Sequence, residues 1–331
     1  MEQVCKICKK NARIIYSGHH GYRKPSRFDI YHCKSCDPSF ASPMRSDPTL
    51  YDLIYSKAEQ VPGYDRYKKY AETVVKHSQP FHFLAQSEDV YWAIHRHFEQ
   101  TRMSKEARVL EVGCGMGYLT YSIARAGYTI RGLDLSQKAV DEAKARYGDY
   151  YFCADVIEYS KSCIEKYDVI ILTEVIEHLT EITGFVRSLG NLLRPSGEIL
   201  VTTPNKSVYG ESVLWHTDPP PIHLWWLSET SLRFIAHEAG LEIDFIDFSS
   251  FNGKERVNKA VPTKSQTFDE KGEIIHREGR LMQFIRAAIN LFPQLTRPAI
   301  RFFTFKTLFA KAMDEYARKS LSLCAVLKKP A

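Results

Sequence analysis

The stretch Arg108-Val-Leu-Glu-Val-Gly-Cys-Gly-Met-Gly117 decides the fold of this chain. Its first half is a short apolar run with one acid, which is typical of a buried parallel strand entering a tight turn. Gly113, Gly115 and Gly117 let the backbone turn sharply and approach a ligand with no Cβ in the way. Residues 118–127 follow as a predicted helix that a glycine closes. The sequence therefore predicts a strand, a glycine loop and a helix, a unit that binds nucleotides.

Two classes of nucleotide compete for such a loop, and the residues around it favour one of them. A dinucleotide fingerprint places a third glycine where this chain has Tyr118, and it points the helix N-terminus at a pyrophosphate. Glu111 is poorly suited to a pyrophosphate, whereas its carboxylate suits a cation such as an amino-acid ammonium. The pattern resembles motif I of class I S-adenosylmethionine (SAM) methyltransferases, and the resemblance extends over roughly residues 105–250.

Strand and helix signals alternate along this region. The predicted helices after the first are residues 137–147, which Ser136 is expected to cap, and residues 182–194. The alternation predicts an α/β fold with a doubly wound, Rossmann-like, seven-stranded methyltransferase sheet that binds ligands at the carboxyl ends of its strands. The predicted strands, in chain order, are residues 109–112, 128–134, 150–155, 167–173, 198–203, 241–248 and 321–327.

Acidic residues stand at the ends of three successive predicted strands: Glu111, Asp134 and Asp155. A single strand-end acid is more often only solvated, but three in order favour a ligand site. Asp134 lies about 20 residues past the first glycine, where a ribose-hydroxyl acceptor is expected. The resemblance implies that Asp155 receives the adenine amino group. The residues predicted to bind SAM are Glu111, Gly113, Gly115, Gly117, Asp134, Leu135, Asp155, Val156 and Thr173.

Length and composition indicate how many domains to expect and argue against a secreted or membrane-spanning protein. With 331 residues the chain suits a core domain with appendages, and its net charge of +6 permits an anionic partner without demanding one. The sequence has no N-terminal apolar signal and no apolar run of 18 residues, so we expect neither secretion nor a membrane span. Four scattered cysteines are expected to be free thiols, which fits a reducing cytoplasm: Cys114, Cys153, Cys163 and Cys324.

The other four cysteines form two C-x-x-C pairs, Cys5 with Cys8 and Cys33 with Cys36. Four thiolates at this spacing can close a tetrahedral structural zinc site, so residues 1–45 are predicted to be a small zinc ribbon. Two alternatives are a redox pair and a site in which His19, His20 or His32 replaces one cysteine. A ribbon before such a core resembles bacterial enzymes of small-molecule and surface-glycan pathways, and zinc ribbons also bind nucleic acid.

The remaining segments flank the core. Residues 46–104 are predicted to be a helical lead, with candidate lid segments at 63–70 and 81–86; the alternative for their aromatic side chains is helix packing. The SAM-binding core is assigned to residues 105–250, and residues 251–331 to a helical insertion followed by the last core strand. Within that insertion we predict a polar loop at 252–279 and helices at 280–293 and 297–318. The second helix suits core packing or a homodimer, a substrate lid, or peripheral contact with a membrane.

The segment after the fourth predicted strand, Thr173-Glu-Val-Ile-Glu-His-Leu179, carries the candidate chemistry. If it is helical, Glu174, Glu177 and His178 lie close to one face. Two carboxylates and an imidazole suit a divalent cation such as Mg²⁺, Mn²⁺ or Zn²⁺, and His223 from a Pro-rich loop is the candidate fourth ligand.

This pattern, Glu-x-x-Glu-His followed by Thr-Pro-Asn and a later His, resembles two groups of O-methyltransferases. One methylates catechol-type intermediates of ubiquinone synthesis, and the other methylates the 2′-hydroxyl at the 3′ end of small RNAs. Both use a metal to activate a hydroxyl, which implies catalytic roles for Glu174 and His178. Two other interpretations stay open: His178 acts without a metal as a base or positioning group, or these side chains only line the pocket.

The leading functional hypothesis is a SAM-dependent methyltransferase, possibly assisted by a metal, that methylates a hydroxyl of a small molecule or a glycan. A second hypothesis keeps the fold but places the methyl on the terminal 2′-hydroxyl of RNA; the sequence has no arginine-rich run or aromatic RNA-stacking motif in its support. A third hypothesis is a non-catalytic SAM-binding or zinc-ribbon adaptor. The three acids at the strand ends argue against the third.

Overall fold

The computed structural model describes residues 3–57, 64–208, 218–251, 266–268, 274–276 and 320–330. The helices are α1 Pro48–Ser56, α2 Asp65–Thr73, α3 Pro80–Ser87, α4 Asp89–Gln100, α5 Tyr118–Arg125, α6 Gln137–Tyr147, α7 Val156–Ser162, α8 Ile182–Leu192 and α9 Glu229–Glu238, with 3₁₀ turns at Val74–Lys76, Ile176–His178 and Lys206–Val208. The strands are β1 Gln3–Val4, β2 Asn11–His20, β3 Arg27–His32, β4 Ser39–Ser42, β5 Arg108–Val112, β6 Thr129–Asp134, β7 Tyr151–Cys153, β8 Tyr167–Thr173, β9 Leu193–Pro204, β10 Trp225–Trp226, β11 Glu242–Phe245, β12 Gln266–Phe268, β13 Ile274–His276 and β14 Ser322–Lys328.

A seven-stranded sheet forms the centre of the molecule, in the order β11-β14-β9-β8-β5-β6-β7. The strands from β5 to β9 pair in parallel, whereas β14 runs antiparallel to both β9 and β11. This sheet confirms the predicted Rossmann-like α/β fold. The chain passes from β5 outward to β6 and β7, then returns to β8 on the other side. The crevice at the carboxyl ends of β5 and β8 is therefore the topological switch point, where such sheets bind ligands.

Successive side chains of the central strands pack alternately into two apolar clusters, one on each face of the sheet. Along β5, Leu110 and Val112 pack into the cluster that holds α8 and α9, while Val109 packs with α4 and α5 on the opposite face. Residues 169–172 of β8 are fully buried, as expected for a strand in the middle of a sheet with both faces covered.

Several predicted boundaries move for local reasons. The third core strand ends at Cys153 rather than at 155, because Asp155 caps α7 by accepting the N–H groups of Ile157 and Glu158. The fifth begins at Leu193 and includes residues 195–197, which the sequence predicts as a turn. The sixth is shorter than residues 241–248, while Ser136 caps α6 as predicted.

The N-terminal residues 3–42, which we call the cysteine module, form a second sheet in the order β1-β2-β3-β4-β10. Its last strand, Trp225–Trp226, comes from the range assigned to the core. The sheet of the predicted ribbon is thus not confined to residues 1–45, because a loop after β9 completes it. Helices α1 to α4 follow the module, as the sequence predicts for residues 47–100.

The insertion before β14 is described only in part. The hairpin β12–β13 lies within residues 252–279, so the prediction of a polar loop is wrong at residues 266–268 and 274–276. The helices predicted at 280–293 and 297–318 lie outside the described residues. Within the described part of the chain, every helix is too short or too polar to cross a membrane.

Candidate active site and cysteine cluster

The glycine loop after β5 adopts backbone conformations that favour glycine. Gly113 and Gly117 have φ of 76° and 77°. A Cβ at Gly117 would lie 2.7 Å from the ring of Tyr151, and one at Gly113 would lie 2.6 Å from Val175 Cγ2. Since Val175 belongs to the segment after β8, the glycine loop packs directly on the segment that carries the candidate chemistry.

Asp134 at the end of β6 holds this loop in place. One carboxylate oxygen accepts the N–H of Gly115 at 2.8 Å, and the other accepts the N–H of Ser136 at 2.9 Å. The carboxylate therefore ties the loop to the start of α6, and each oxygen keeps a lone pair for a ligand. The next residue, Leu135, is 72% exposed and forms an apolar surface beside the loop.

Glu111 is buried beneath the loop, where the hydroxyl of Thr120 donates to its carboxylate. Burial raises the pKa of Glu111 to about 8. Because desolvation disfavours the charged carboxylate, a cation close to Glu111 would favour its ionisation. That environment fits the predicted role next to an ammonium group.

The other predicted SAM-binding residues lie at or just after the carboxyl ends of β7 and β8. Asp155 is exposed at the start of α7, and the Val156 side chain is buried beside it. Thr173 ends β8, and its buried hydroxyl lacks a hydrogen-bond partner among the described residues. Glu111 and Asp134 thus belong to neighbouring strands, whereas Asp155 is the N-cap of α7 and not part of a strand.

A second cluster lies at the end of β8, where three ligand-type side chains meet: Glu177, His178 and His223. One ligand atom from each lies within 4.8 Å of the other two. The Nε2 atoms of His178 and His223 lie 3.8 Å and 3.9 Å from the same oxygen, Glu177 Oε1. The structure thus brings together three of the four residues predicted as metal ligands.

Backbone contacts position this cluster. Leu224 donates its N–H to the carbonyl of Glu177 at 2.9 Å, and His178 Nδ1 lies 2.8 Å from the carbonyl of Ile222. A carbonyl only accepts, so Nδ1 of His178 carries the proton and Nε2 carries the lone pair. The loop that contains His223 is therefore held against the 3₁₀ turn that contains Glu177 and His178.

The electrostatics of the cluster follow from burial. Glu177 is fully buried, and one of its oxygens accepts from Thr203 Oγ1 at 3.0 Å. Its other oxygen, Oε1, is buried without a hydrogen-bond partner among the described residues. Burial raises the pKa of Glu177 to about 8 and lowers the pKa values of His178 and His223. Both imidazoles are thus neutral near pH 7, which is the form that binds metals.

Glu174 departs from the prediction. The segment is not an α-helix that starts at Glu174; it is a 3₁₀ turn over Ile176–His178, and Glu174 precedes it with a φ of 55°. Among the described residues, the cluster of mutually close ligand atoms does not include Glu174. Its carboxyl group is buried nearby, and burial, followed by the charge of Glu177, raises its pKa well above the ordinary range.

The sequence reasoning missed two groups beside this site. Asp218 begins the loop that contains His223, and Tyr64 donates to its carboxylate at 3.1 Å. Burial raises the pKa of Asp218. The edge of the Tyr51 ring lies against His178, with the ring centres 5.8 Å apart. Only the aromatic content of the lead helices and the Pro-rich loop marked these regions in the sequence.

Residues 64–70, the described part of the predicted lid segment 63–70, lie next to the helix that follows the glycine loop. Arg66 on α2 pairs with Glu88 at 2.7 Å, and Tyr70 donates to the same carboxylate at 2.8 Å. The Tyr70 ring packs against Tyr118, the first residue of α5, with centres 5.9 Å apart. Helix α2 therefore borders the loop from outside the sheet.

The four cysteines of the two C-x-x-C pairs also meet, with their Sγ atoms within 4.8 Å of one another. The shortest separation is 3.3 Å, between Cys8 and Cys33, and all four are free thiols. Among the described residues, this cluster contains no histidine. The arrangement favours the four-cysteine interpretation over replacement by His19, His20 or His32.

Comparisons with protein families and with curated proteins find methyltransferases. A family model described as a methyltransferase domain matches residues 83–244. The ubiquinone biosynthesis O-methyltransferase of Nitrosospira multiformis is 29% identical over 166 residues, which cover 45% of this chain and 68% of that protein. Its counterpart in Salmonella paratyphi A is 30% identical over 149 residues, which cover 38% of this chain and 62% of that protein.

Solved structures of methyltransferases align with a larger share of the chain at lower identity. A SAM-dependent methyltransferase from Archaeoglobus fulgidus aligns with 71% of this chain and 93% of its own, with 15% identity and a TM-score of 0.41. The family match and the curated relatives identify residues 83–244 as a methyltransferase domain. They disfavour the hypothesis of a non-catalytic adaptor.

Proposed function

We propose that this chain, which is a SAM-dependent methyltransferase, methylates the oxygen of a hydroxyl group on a small molecule or sugar with the help of a divalent metal ion. One observation carries the proposal: the ligand atoms of Glu177, His178 and His223 lie within 4.8 Å of one another beside the glycine loop. The curated relatives are named as O-methyltransferases of ubiquinone biosynthesis, which supports an oxygen acceptor.

The SAM half of the site is proposed to use the residues named from the sequence. The ribose hydroxyls would meet Asp134, the ammonium group would lie near Glu111, and the adenine would pack on Leu135 within reach of Asp155. The exposure of Leu135 and the lone pairs left on Asp134 support these roles. The low-dielectric surroundings of Glu111 would strengthen its attraction for a cation.

The side chains of the acceptor half are of the types that bind a divalent metal ion. Glu177 Oε1 is a buried carboxylate oxygen without a hydrogen-bond partner among the described residues, which is costly unless something else satisfies it. His178 Nε2, which carries a lone pair, lies 3.8 Å from that oxygen, and the Nδ1–H of His178 is fixed by the carbonyl of Ile222. Such a second hydrogen bond commonly orients a metal-binding histidine. Two imidazoles and a carboxylate suit Zn²⁺ or Mn²⁺, and Mg²⁺ less well.

When bound, SAM supplies an activated methyl group and the divalent ion lowers the pKa of a hydroxyl that it contacts. The residues of the chain then have two tasks. They hold the acceptor oxygen in line with the methyl carbon, and they accept the hydroxyl proton. Glu174 is proposed to take that proton in its ionised form, which burial makes a stronger base than an exposed carboxylate and which a nearby cation would favour.

A metal-free mechanism is the alternative within the same reaction. His178 is neutral near pH 7, its Nε2 carries a lone pair, and 21% of its side chain is exposed, whereas Glu177 is fully buried. His178 would then accept the acceptor proton directly as a general base. Glu177 and His223 would in that case only position His178.

Methylation of the terminal 2′-hydroxyl of RNA is a second candidate function. Residues 1–45 contain nine Lys or Arg and three Asp or Glu, so their net charge of +6 equals that of the whole chain. A basic module next to the acceptor half would attract a polyanion. A salt titration of RNA binding separates this candidate from a small-molecule acceptor, because phosphate contacts weaken steeply as salt rises.

The cysteine module is proposed to hold one structural zinc ion. Four thiols with Sγ atoms within 4.8 Å of one another are the ligand set of a closed tetrahedral site. Such a site has no open coordination position, so no step of the reaction is assigned to it.

The test is methyl transfer from labelled SAM to a panel of catechols and sugars, with calorimetry for SAM binding. Glu177→Gln is expected to lower turnover by about 10²- to 10⁴-fold while SAM affinity stays unchanged. His237→Gln is the matched control, since 86% of the His237 side chain is exposed on α9. A weak chelator that spares a four-thiolate site should inhibit, and added Mn²⁺ should restore activity. Full turnover in chelated protein would favour His178 as the base and reject the metal.

A further inference from the structure

The loop that carries His223 is held from two sides. Leu224 donates its N–H to the carbonyl of Glu177 at 2.9 Å, and its own carbonyl accepts the N–H of Ala41 in β4 at 2.9 Å. One residue, adjacent to His223, therefore bridges the candidate active site and the cysteine module. A second backbone bond from the module, Tyr22 N–H to the carbonyl of Pro220 at 2.7 Å, holds the start of the same loop.

The strand after His223 belongs to the sheet of the module. In the β4–β10 pair, Trp225 lies opposite Phe40 and Trp226 opposite Ser39, and both tryptophans are fully buried. Trp225 also donates its indole N–H to the carbonyl of Leu179 at 2.8 Å. The side chain of a residue in the module's sheet thus contacts the segment that directly follows His178.

The cysteine cluster determines where β4 begins. Cys33 donates its N–H to the carbonyl of Pro38 and accepts the N–H of Asp37, so the second C-x-x-C turn leads directly into the strand. Asp37 pairs at 2.8 Å with Lys206, which is 2% exposed at the end of β9. The N–H of Lys206 in turn bonds the carbonyl of Leu227, just past β10.

We propose that the cysteine module is a positioning element of the acceptor half of the active site. A metal ion held by the four thiolates fixes β4, and β4 fixes His223 against Glu177 through Leu224. A structural metal site of this kind supplies folding energy to its own segment, so its loss would release β4 and the loop together. The SAM half is built on β5 and β6, where Asp134 holds the glycine loop, so SAM binding would persist. The inference rests on the proposed function for the zinc ion of the module and for the identity of the ion near His223.

The experiment compares two Cys→Ser variants of the full chain. Cys8→Ser removes one thiol of the cluster, and Cys163→Ser removes a free, half-buried thiol outside it. Four quantities are measured: zinc content, SAM affinity by calorimetry, Mn²⁺ affinity by electron paramagnetic resonance, and hydrogen exchange of the amides of residues 222–227.

Cys8→Ser is expected to lose zinc, to bind Mn²⁺ about 10- to 100-fold more weakly, and to exchange the amides of residues 222–227 faster, with SAM affinity unchanged. Cys163→Ser should match the unmodified protein in all four quantities. A zinc-free Cys8→Ser that keeps its Mn²⁺ affinity and its protection at 222–227 would overturn the inference, as would unmodified protein that contains no zinc.

A second variant guards against misfolding of the first. Lys206→Met keeps the buried stem but removes the ammonium partner of Asp37, so zinc should stay while protection at 222–227 falls. Retained protection in Lys206→Met, together with loss of SAM binding in Cys8→Ser, would mean that the module serves general stability only, which contradicts the inference. If unmodified protein binds no Mn²⁺, the metal-assisted function fails, while zinc content and amide protection still test the positioning role.

Discussion

The two halves of the proposed active site, the SAM half and the acceptor half, are built in different ways. The SAM half comes from consecutive strands, β5 and β6, and the glycine loop joins them through hydrogen bonds to Asp134. The acceptor half joins three distant parts of the chain: the 3₁₀ turn after β8, the loop that contains His223, and the cysteine module. A half made from local segments depends on short-range geometry, whereas a half made from distant segments depends on whatever holds those segments together.

The largest expected effect is on turnover, and it distinguishes the metal-assisted mechanism from the mechanism with His178 as a general base. His178→Gln should lower turnover by about 10²- to 10⁴-fold under either mechanism, because it removes both a base and a ligand. His223→Gln should cause a loss of similar size only if a metal is used. Steady-state kinetics with SAM at saturation measures both. A mild effect of His223→Gln beside a severe effect of His178→Gln would leave the general-base mechanism as the better account.

The next effect concerns pH and the SAM half. Burial raises the pKa of Glu111 to about 8, above its ordinary value of 4.5. Near pH 4.5 and below, both the folded and unfolded states bind the proton, so Glu111 costs little stability. As the pH rises toward 8, the unfolded state releases the proton first, and folding becomes less favourable. Glu111→Gln should therefore be more stable than the unmodified protein at pH 8 by on the order of 3 kcal/mol, and nearly equal to it at pH 5.

Urea unfolding at several pH values measures this difference. The control is Glu142→Gln, which removes one charge from the exposed face of α6. SAM affinity of the unmodified protein should also rise between pH 6 and 8, because a cationic ligand favours the ionised carboxylate. A stability difference that does not change with pH would show that Glu111 is not desolvated in solution.

A smaller effect tests the link between β6 and the glycine loop. Asp134→Ala removes two hydrogen bonds to backbone N–H groups and the proposed ribose acceptor. SAM affinity should fall by about 2–3 kcal/mol, and the rise in melting temperature caused by SAM should largely disappear. Asp141→Ala on the exposed face of α6 is the control. Equal SAM affinity in the two variants would remove Asp134 from the cofactor site.

The smallest effect compares two glycines with similar backbone conformations. Gly117 and Gly240 have φ of 77° and 71°, but a Cβ would meet Tyr151 at 2.7 Å in the first case and no atom within 4 Å in the second. Both Gly→Ala variants carry the cost of a left-handed backbone. Gly117→Ala should lose about 1–2 kcal/mol more in urea unfolding, because the ring of Tyr151 must shift. Equal losses would mean that the loop tolerates the close approach.

Much of the SAM half could be predicted from the sequence because its signals are local. Apolar runs of strand length, glycines at 113, 115 and 117, and an acid about 20 residues later each report on geometry within one strand–loop–helix unit. Even there, the element that carries Asp155 was predicted wrongly: its side chain caps α7, two residues past the end of β7, and sequence patterns do not distinguish a strand-end acid from a helix cap so close to it.

The acceptor half could be predicted by residue type but not by geometry. Glu177, His178 and His223 were named from the sequence, and the structure brings them together. Glu174 was named with them on the assumption of an α-helix, but the backbone turns at Glu174 with φ of 55°, so it departs from the cluster. Tyr64 lies in the predicted lid segment 63–70, but its contact with Asp218 could not be predicted, because it joins residues 154 positions apart.

The sequence by itself determined the class of fold, the glycine loop, the two cysteine pairs and the residue types at the site, since each depends on neighbours a few positions away. Only the tertiary structure decided that Trp225–Trp226 completes the sheet of the cysteine module and that Leu224 links it to Glu177. Those links are backbone hydrogen bonds, which any residue except proline can form through its N–H and carbonyl. The side chains at these positions therefore do not reveal the links, and the sequence could not predict them.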